Sequence, residues 1–318
     1  MVRRLYDPPQ PLGALEQDLE QLDRRYHDTL VPSRELKVSD DGRLLVGGEA
    51  HRLDDRALTQ LAAKLQVPAS YLRRCDPALR AVNLNRWLGQ LNAEVLVRFD
   101  GHQVRALLSS RYRPVSNADV IRSVLKAVPE DTPVRHEMTG ALFVAQVLTP
   151  SSRNGAPLSG GVNLANSETG HAVVSLTAMV WRLACLNSLL CGGAEMTLRH
   201  RHTHDATRTL EEVAEMAEIA WSRAAGFPGR FEATRTILMP RPIEAVFDKI
   251  AERFSLTQQQ RRLIGEAYQV EPGPTLFDCI NALTRAGNSE RLPLEERTEL
   301  QEVGGRILQL AEGGHRWL

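Results

Sequence analysis

Three histidines stand at every second position in His200-Arg201-His202-Thr203-His204-Asp205. Side chains alternate faces along a strand, and those on one face recur about every 7 Å. If Met196 to His204 is a strand, Met196, Leu198, His200, His202 and His204 share one face, and Thr197, Arg199, Arg201 and Thr203 share the other. Such a row of imidazoles can supply two ligands to a zinc ion, with Cys185 or Cys191 completing the site. It can also hydrogen-bond a phosphate or carboxylates. A polar strand end leaving its sheet is the plainer alternative.

Arg111 and Arg113 flank Tyr112 in Ser109-Ser110-Arg111-Tyr112-Arg113-Pro114-Val115-Ser116-Asn117. Guanidinium groups with an aromatic ring suit single-stranded nucleic acid, where bases stack and phosphates pair with arginine. A loop that caps the helix starting at Asn117 explains the same residues. In Trp181-Arg182-x-x-Cys185-x-Asn187-Ser188, Arg182 and Asn187 interrupt an apolar run. Buried there, they need partners, because an unpaired buried polar group costs on the order of 1–3 kcal/mol. Cys185 reads as a small buried residue, or as a nucleophile whose base comes from the histidine strand. Asn163 and Asn166-Ser167-Glu168-Thr169-Gly170 read as a tight turn with Gly170 at positive φ, or as a ligand-contacting loop.

These residues need a scaffold, and the hydrophobic period changes twice along the chain. Residues 1–90 read as mostly helical, with an amphipathic stretch at Leu15 to Tyr26 and a hairpin signal at Asp41-Gly42 and Gly47-Gly48. Asp54 or Asp55 caps a helix over Ala57 to Leu65, and a short helix follows at Tyr71 to Cys75. Residues 91–205 alternate: Glu94 to Phe99 and Gln103 to Ser109 around Asp100-Gly101, Val134 to Leu148 around Thr139-Gly140, Gly161 to Asn166, His171 to Trp181, and Met196 to His204, with one helix over Asn117 to Val128. Residues 206–318 return to helical spacing at Leu210 to Ala225, Ile243 to Phe254, Gln258 to Tyr268 and Leu292 to Leu310. The expected fold is α+β, with a central, mostly antiparallel sheet flanked by N-terminal and C-terminal helical regions, divided at 1–90, 91–205 and 206–318.

Composition excludes several classes. The 318 residues carry 39 basic and 39 acidic side chains, so any nucleic-acid site is a local patch. Lysine occurs only at 37, 64, 126 and 249, so the positive charge is almost all arginine, the better partner for bidentate phosphate contacts. No Gly-Lys dipeptide occurs, which removes an ATP-driven P-loop mechanism. Gly-x-Ser-x-Gly and His-Glu-x-x-His are also missing. Cys75, Cys185, Cys191 and Cys279 are too sparse for a disulfide framework and fit reduced thiols in a cytoplasm. Met1 to Leu12 has no apolar signal region, and Ala172 to Cys191 is too polar to span a bilayer, so no membrane association is expected.

The runs Leu108 to Asn117, Asn166 to Gly170, Trp181 to Asn187, Arg199 to Thr203 and Pro274 to Thr284 resemble, in that order, the signatures of the phage- and plasmid-related family known as domain of unknown function 932. The resemblance implies a mobile-element setting, with DNA maintenance or recombination as its context, and no established activity. The leading expectation is a non-enzymatic binder of single-stranded nucleic acid, of the strand-annealing kind that needs no ATP, acting through Arg111, Tyr112, Arg113, Arg182, Arg199 and Arg201. The alternatives are a zinc-dependent enzyme built on His200, His202, His204 and Cys185 or Cys191, and a host-interaction protein whose helical ends bind a partner or form a homo-oligomer.

Overall fold

A computed structural model of the chain describes residues 4–5, 7–149, 158–182, 187–191, 197–202 and 205–314. In chain order the elements begin with β1 (Gln10–Pro11), α1 (Leu12–Asp23), β2 (Tyr26–Pro32), β3 (Lys37–Val38), β4 (Leu44–Val46), β5 (Glu49–Leu53), α2 (Asp55–Lys64), α3 (Ala69–Arg74) and α4 (Pro77–Leu88). Next come β6 (Glu94–Asp100), β7 (Gln103–Ser109), α5 (Asn117–Leu125), β8 (Pro133–Met138), β9 (Phe143–Leu148), β10 (Leu158–Asn166), β11 (Val174–Arg182), β12 (Asn187–Leu190) and β13 (Thr197–His200). The chain ends in α6 (Ala206–Arg223), α7 (Phe227–Ala233), α8 (Ile243–Arg253), α9 (Gln258–Val270), α10 (Leu276–Ala286) and α11 (Leu294–Glu312).

The fold is α+β, built on two mostly antiparallel sheets. One runs β1-β8-β9-β10-β11-β12, with β13 also paired to β11. The other runs β2-β6-β7-β5-β4-β3, and its β5–β7 pair is parallel. The hairpin β6–β7 therefore belongs with the N-terminal strands, and the boundary expected at residue 90 cuts through one sheet. The main core lies between the seven-stranded sheet and α1, α5, α6 and the C-terminal helices, around Phe143, Val162, Leu176, Phe277 and Leu300. A second core under the six-stranded sheet holds Leu61, Leu72, Leu84 and Phe99.

Caps set several of these helices. Asp54 accepts from the Ala57 amide, Asp76 from Leu79 and Ser116 from Asp119. Four elements depart from the sequence expectation. Tyr26–Pro32 is an edge strand whose one buried side chain is Val31, so it carries no alternation to read. β12 has only four residues. α10 is buried nearly all round, so it shows no polar face. The strand expected from Met196 to His204 stops at His200, where His202 turns the chain; Met196 and His204 lie outside the described residues. No helix among the described residues is long and apolar enough to cross a membrane.

Candidate nucleic-acid interface

The turn between β10 and β11 joins the two sheets. Glu168, only 3% exposed, accepts from the Asn117 amide (2.8 Å) and from Arg105 Nη2 (2.9 Å). The Asn117 amide is a free donor at the start of α5, where helix ends leave N–H groups unpaired and favour a carboxylate. Arg105 also lies 3.5 Å over the Tyr26 ring. Arg98 Nη1 donates to the Glu168 carbonyl, while its Nε donates to Asp28 (2.8 Å). Asn166 Nδ2 donates to the Val115 carbonyl and to Asn117 Oδ1. Gln60 on α2 donates to the Thr169 carbonyl (2.7 Å) and accepts from the Leu107 amide on β7 (2.9 Å). Gly170 has φ of 79°, a backbone conformation that favours glycine, and a Cβ there would lie 2.7 Å from Leu108 Cδ2, which would have to shift. The run from Asn166 to Gly170 is thus a docking pin between the sheets.

That pin orients the arginine loop after β7. Tyr112 is buried, and its hydroxyl donates to the Ser167 carbonyl (2.7 Å). Its ring stacks on His202, with centroids 4.9 Å apart and planes 18° apart. The Arg113 amide donates to the His202 carbonyl (2.5 Å) and ties this loop to the end of β13. With Tyr112 held inward, Arg111 and Arg113 are exposed on either side of it. Leu198 is half-buried, Arg199 exposed, His200 half-buried, Arg201 exposed and His202 buried, so the expected alternation of faces runs past the end of the strand. Burial drives the His202 pKa down to about 4, so its imidazole is neutral. Arg111, Arg113 and Arg199 enter no ion pair with the described carboxylates.

Two residues expected in this interface serve the interior instead. Tyr112 offers no ring face to a base, because it is packed against His202 and bonded to Ser167. Arg182 is bidentate to Glu271 (2.8 and 2.6 Å), which also accepts from Asn281 Nδ2 (3.0 Å); this fastens β11 to α10. The described histidine and cysteine residues do not converge either. His200 pairs with Glu212 on α6, and His202 lies under Tyr112. Cys191 is buried, its thiol pushed up to about 12 by desolvation. Its amide bonds the Ala178 carbonyl, whereas His200 is opposite Val174, four residues along β11 or about 13 Å. Among the described residues no three metal-ligating side chains come together; Cys185 and His204 lie outside those residues.

Sequence reasoning missed a cleft of about 470 Å3 between α1, α5 and β2, lined by Glu20, Asp23, Asp28, Arg98, Asp119 and Arg122 among others. Burial, then the Glu168 charge, raise the Asp23 carboxyl to about 6, so it exchanges a proton close to neutral pH. No local motif marks it, since its neighbours come from distant segments.

Neither a search of curated proteins nor a search of solved structures returned a match to this chain. A family model described as a domain of unknown function, DUF932, matches residues 105–285, a span that holds the arginine loop, the Asn166–Gly170 pin, β13 and α10. The match covers more than half of the 318 residues, and the chain belongs to the DUF932 family.

Proposed function

We propose that this protein binds single-stranded DNA through Arg111, Arg113, Arg199 and Arg201, and brings complementary strands together without ATP. The observation that carries the reading is the bond from the Arg113 amide to the His202 carbonyl, which joins two exposed arginine pairs from distant segments. Binding by these groups is phosphate-led. With Tyr112 buried, base stacking contributes little, and sequence preference is weak. The reading includes a mobile-element or recombination setting and self-association along the strand. It also includes a cytoplasmic location, which the free thiols of Cys75, Cys191 and Cys279 suit.

Fluorescence anisotropy with labelled single strands tests it. Four phosphate contacts at about 0.7 ions each give a log–log salt slope near −2.8, so affinity falls about fiftyfold between ~50 and ~200 mM salt. Duplex of the same sequence binds more weakly. Absence of binding at ~50 mM salt, where phosphate contacts are strong, overturns the proposal.

A further inference from the structure

We propose that copies of this chain associate head to tail, the outer face of α3 and α4 of one copy seated on the outer face of α6 of the next. Four of the nine exposed large apolar side chains among the described residues lie between residues 71 and 87: Tyr71 on α3, and Leu79, Val82 and Trp87 on α4. The inner face of α4 buries Ala81, Leu84 and Leu88 in the second core, so the fold itself does not call for an apolar outer face. Leu79, Val82, Arg86 and Trp87 recur at i, i+3, i+7 and i+8 and form one stripe about 12 Å long. Asn83 Nδ2 donates to the Leu79 carbonyl (2.9 Å) and to the Tyr71 hydroxyl (3.2 Å), which draws Tyr71 onto the same stripe. Clustered exposed apolar groups mark interaction surfaces, and Tyr, Trp and Arg are the residues that dominate their centres.

The charge around this stripe is of one sign. From Ala57 to Ala93 the one acidic residue is Asp76, against Lys64, Arg73, Arg74, Arg80 and Arg86. Asp76 is used as the cap of α4 through the Leu79 amide (2.9 Å). Arg73 is bidentate to Asp55 (2.7 and 2.8 Å), and Arg80 donates to the Leu72 and Cys75 carbonyls. Arg74, one turn beyond Tyr71 on α3, and Arg86 on α4 are exposed and enter no ion pair with the described carboxylates.

The outer face of α6 is the converse. Val213, Ala217 and Ala220 face the main core, and Glu211, Glu215 and Glu218 stand exposed on the outside at i, i+4 and i+7, about 11 Å from end to end. The nearest basic side chain in sequence, Arg208, is taken by Glu212, which also pairs with His200. Like charges four apart weaken a helix, and no described cation offsets these three. Ile219, 39% exposed, stands on the same face and meets the apolar stripe.

The two faces match in length and are opposite in charge. Pairing α4 with α4, or α6 with α6, sets like charges against each other, so only the unlike pairing is favoured. Such a contact is heterologous, and it adds copies in a line or closes a ring. It is the structural basis of the self-association in the proposed function and rests on that reading, but DNA has no part in it.

Light scattering of the full chain without DNA, over a range of protein concentration, is the test. Wild type associates, and between ~50 and ~300 mM salt the association weakens as its exposed charges are screened. Arg74→Glu with Arg86→Glu, and separately Glu211→Arg with Glu215→Arg, each stay folded by circular dichroism and lose association by about a hundredfold or more, the scale of like charges brought together across an interface. An equimolar mixture of the two variants associates again, because each supplies the face that the other lacks. A monomeric wild type, wild-type association by either variant alone, or a mixture that stays monomeric each overturns the proposal. A monomeric wild type whose oligonucleotide affinity falls on Arg74→Glu with Arg86→Glu would assign the α4 face to nucleic acid instead, whereas association without oligonucleotide binding leaves the interface standing and removes the DNA reading.

Discussion

Replacing Glu168 by alanine removes the group that fastens the two sheets together. Its carboxylate is 3% exposed and accepts from a helix-terminal amide at 2.8 Å and from Arg105 at 2.9 Å. Loss of one partner from a buried charge pair costs about 3–5 kcal/mol, because the other charge is left uncompensated. Arg105 is largely buried, with a side chain 15% exposed, so water relieves little of that loss. In urea, with a slope of about 3 kcal/mol per molar, the midpoint falls by about 1 M or more. Glu168→Gln falls less, since an amide oxygen still accepts from Asn117. A double-mutant cycle with Arg105→Met isolates the pair and is expected to return a coupling of about 2 kcal/mol, within the range for contacting residues. A midpoint shift worth under about 1 kcal/mol for Glu168→Ala, or a coupling near zero, refutes the buried-pair reasoning.

Further outcomes follow from the titrating groups and the internal arginine. The folded pKa of Asp23 is raised from 3.8 to about 6, so its ionised form at pH 7 opposes folding, and that penalty fades as pH falls through 6. Asp23→Asn is expected to raise the urea midpoint at pH 7, with the gain shrinking toward pH 4. His202 behaves in the opposite sense. Its folded pKa is depressed from 6.5 to about 4, so the stability of its neutral form is present above 6.5 and declines by about 3 kcal/mol as pH falls to 4. His202→Phe keeps the stack on Tyr112 and is expected to flatten that part of the pH–stability profile. Arg182→Met breaks the pair with Glu271, which is itself 40% exposed, and is expected to cost about 1 kcal/mol while leaving oligonucleotide affinity unchanged.

Elements with a strong period were legible in the sequence. The β6–β7 hairpin follows from alternation around Asp100-Gly101, and α2 from its apolar stripe behind Asp54. Elements without a half-buried face were not. β2 is exposed along most of its length, and α10 is buried on every side. The candidate site was legible only in its exposed part. Alternation located Arg199 and Arg201 correctly, but nothing in Arg111-Tyr112-Arg113 indicates that the ring turns inward. That depends on the Ser167 carbonyl and on His202, both far along the chain. The Asn166–Gly170 run reads as a turn in sequence because Arg98, Arg105 and Asn117, which give Glu168 its role, are 50 to 70 residues away.

The arginine surface is tested most directly by a fourfold change, with Arg111, Arg113, Arg199 and Arg201 all replaced by glutamine. Exposed substitutions cost under about 0.5 kcal/mol each, so circular dichroism and the thermal midpoint should stay close to wild type. Anisotropy with a labelled single strand should then show affinity lost for every sequence alike, and a salt slope flattened by about 2 to 3 units, the share of four phosphate contacts. A folded fourfold variant that binds single strands with wild-type affinity and wild-type salt slope would contradict the assignment of this surface to DNA.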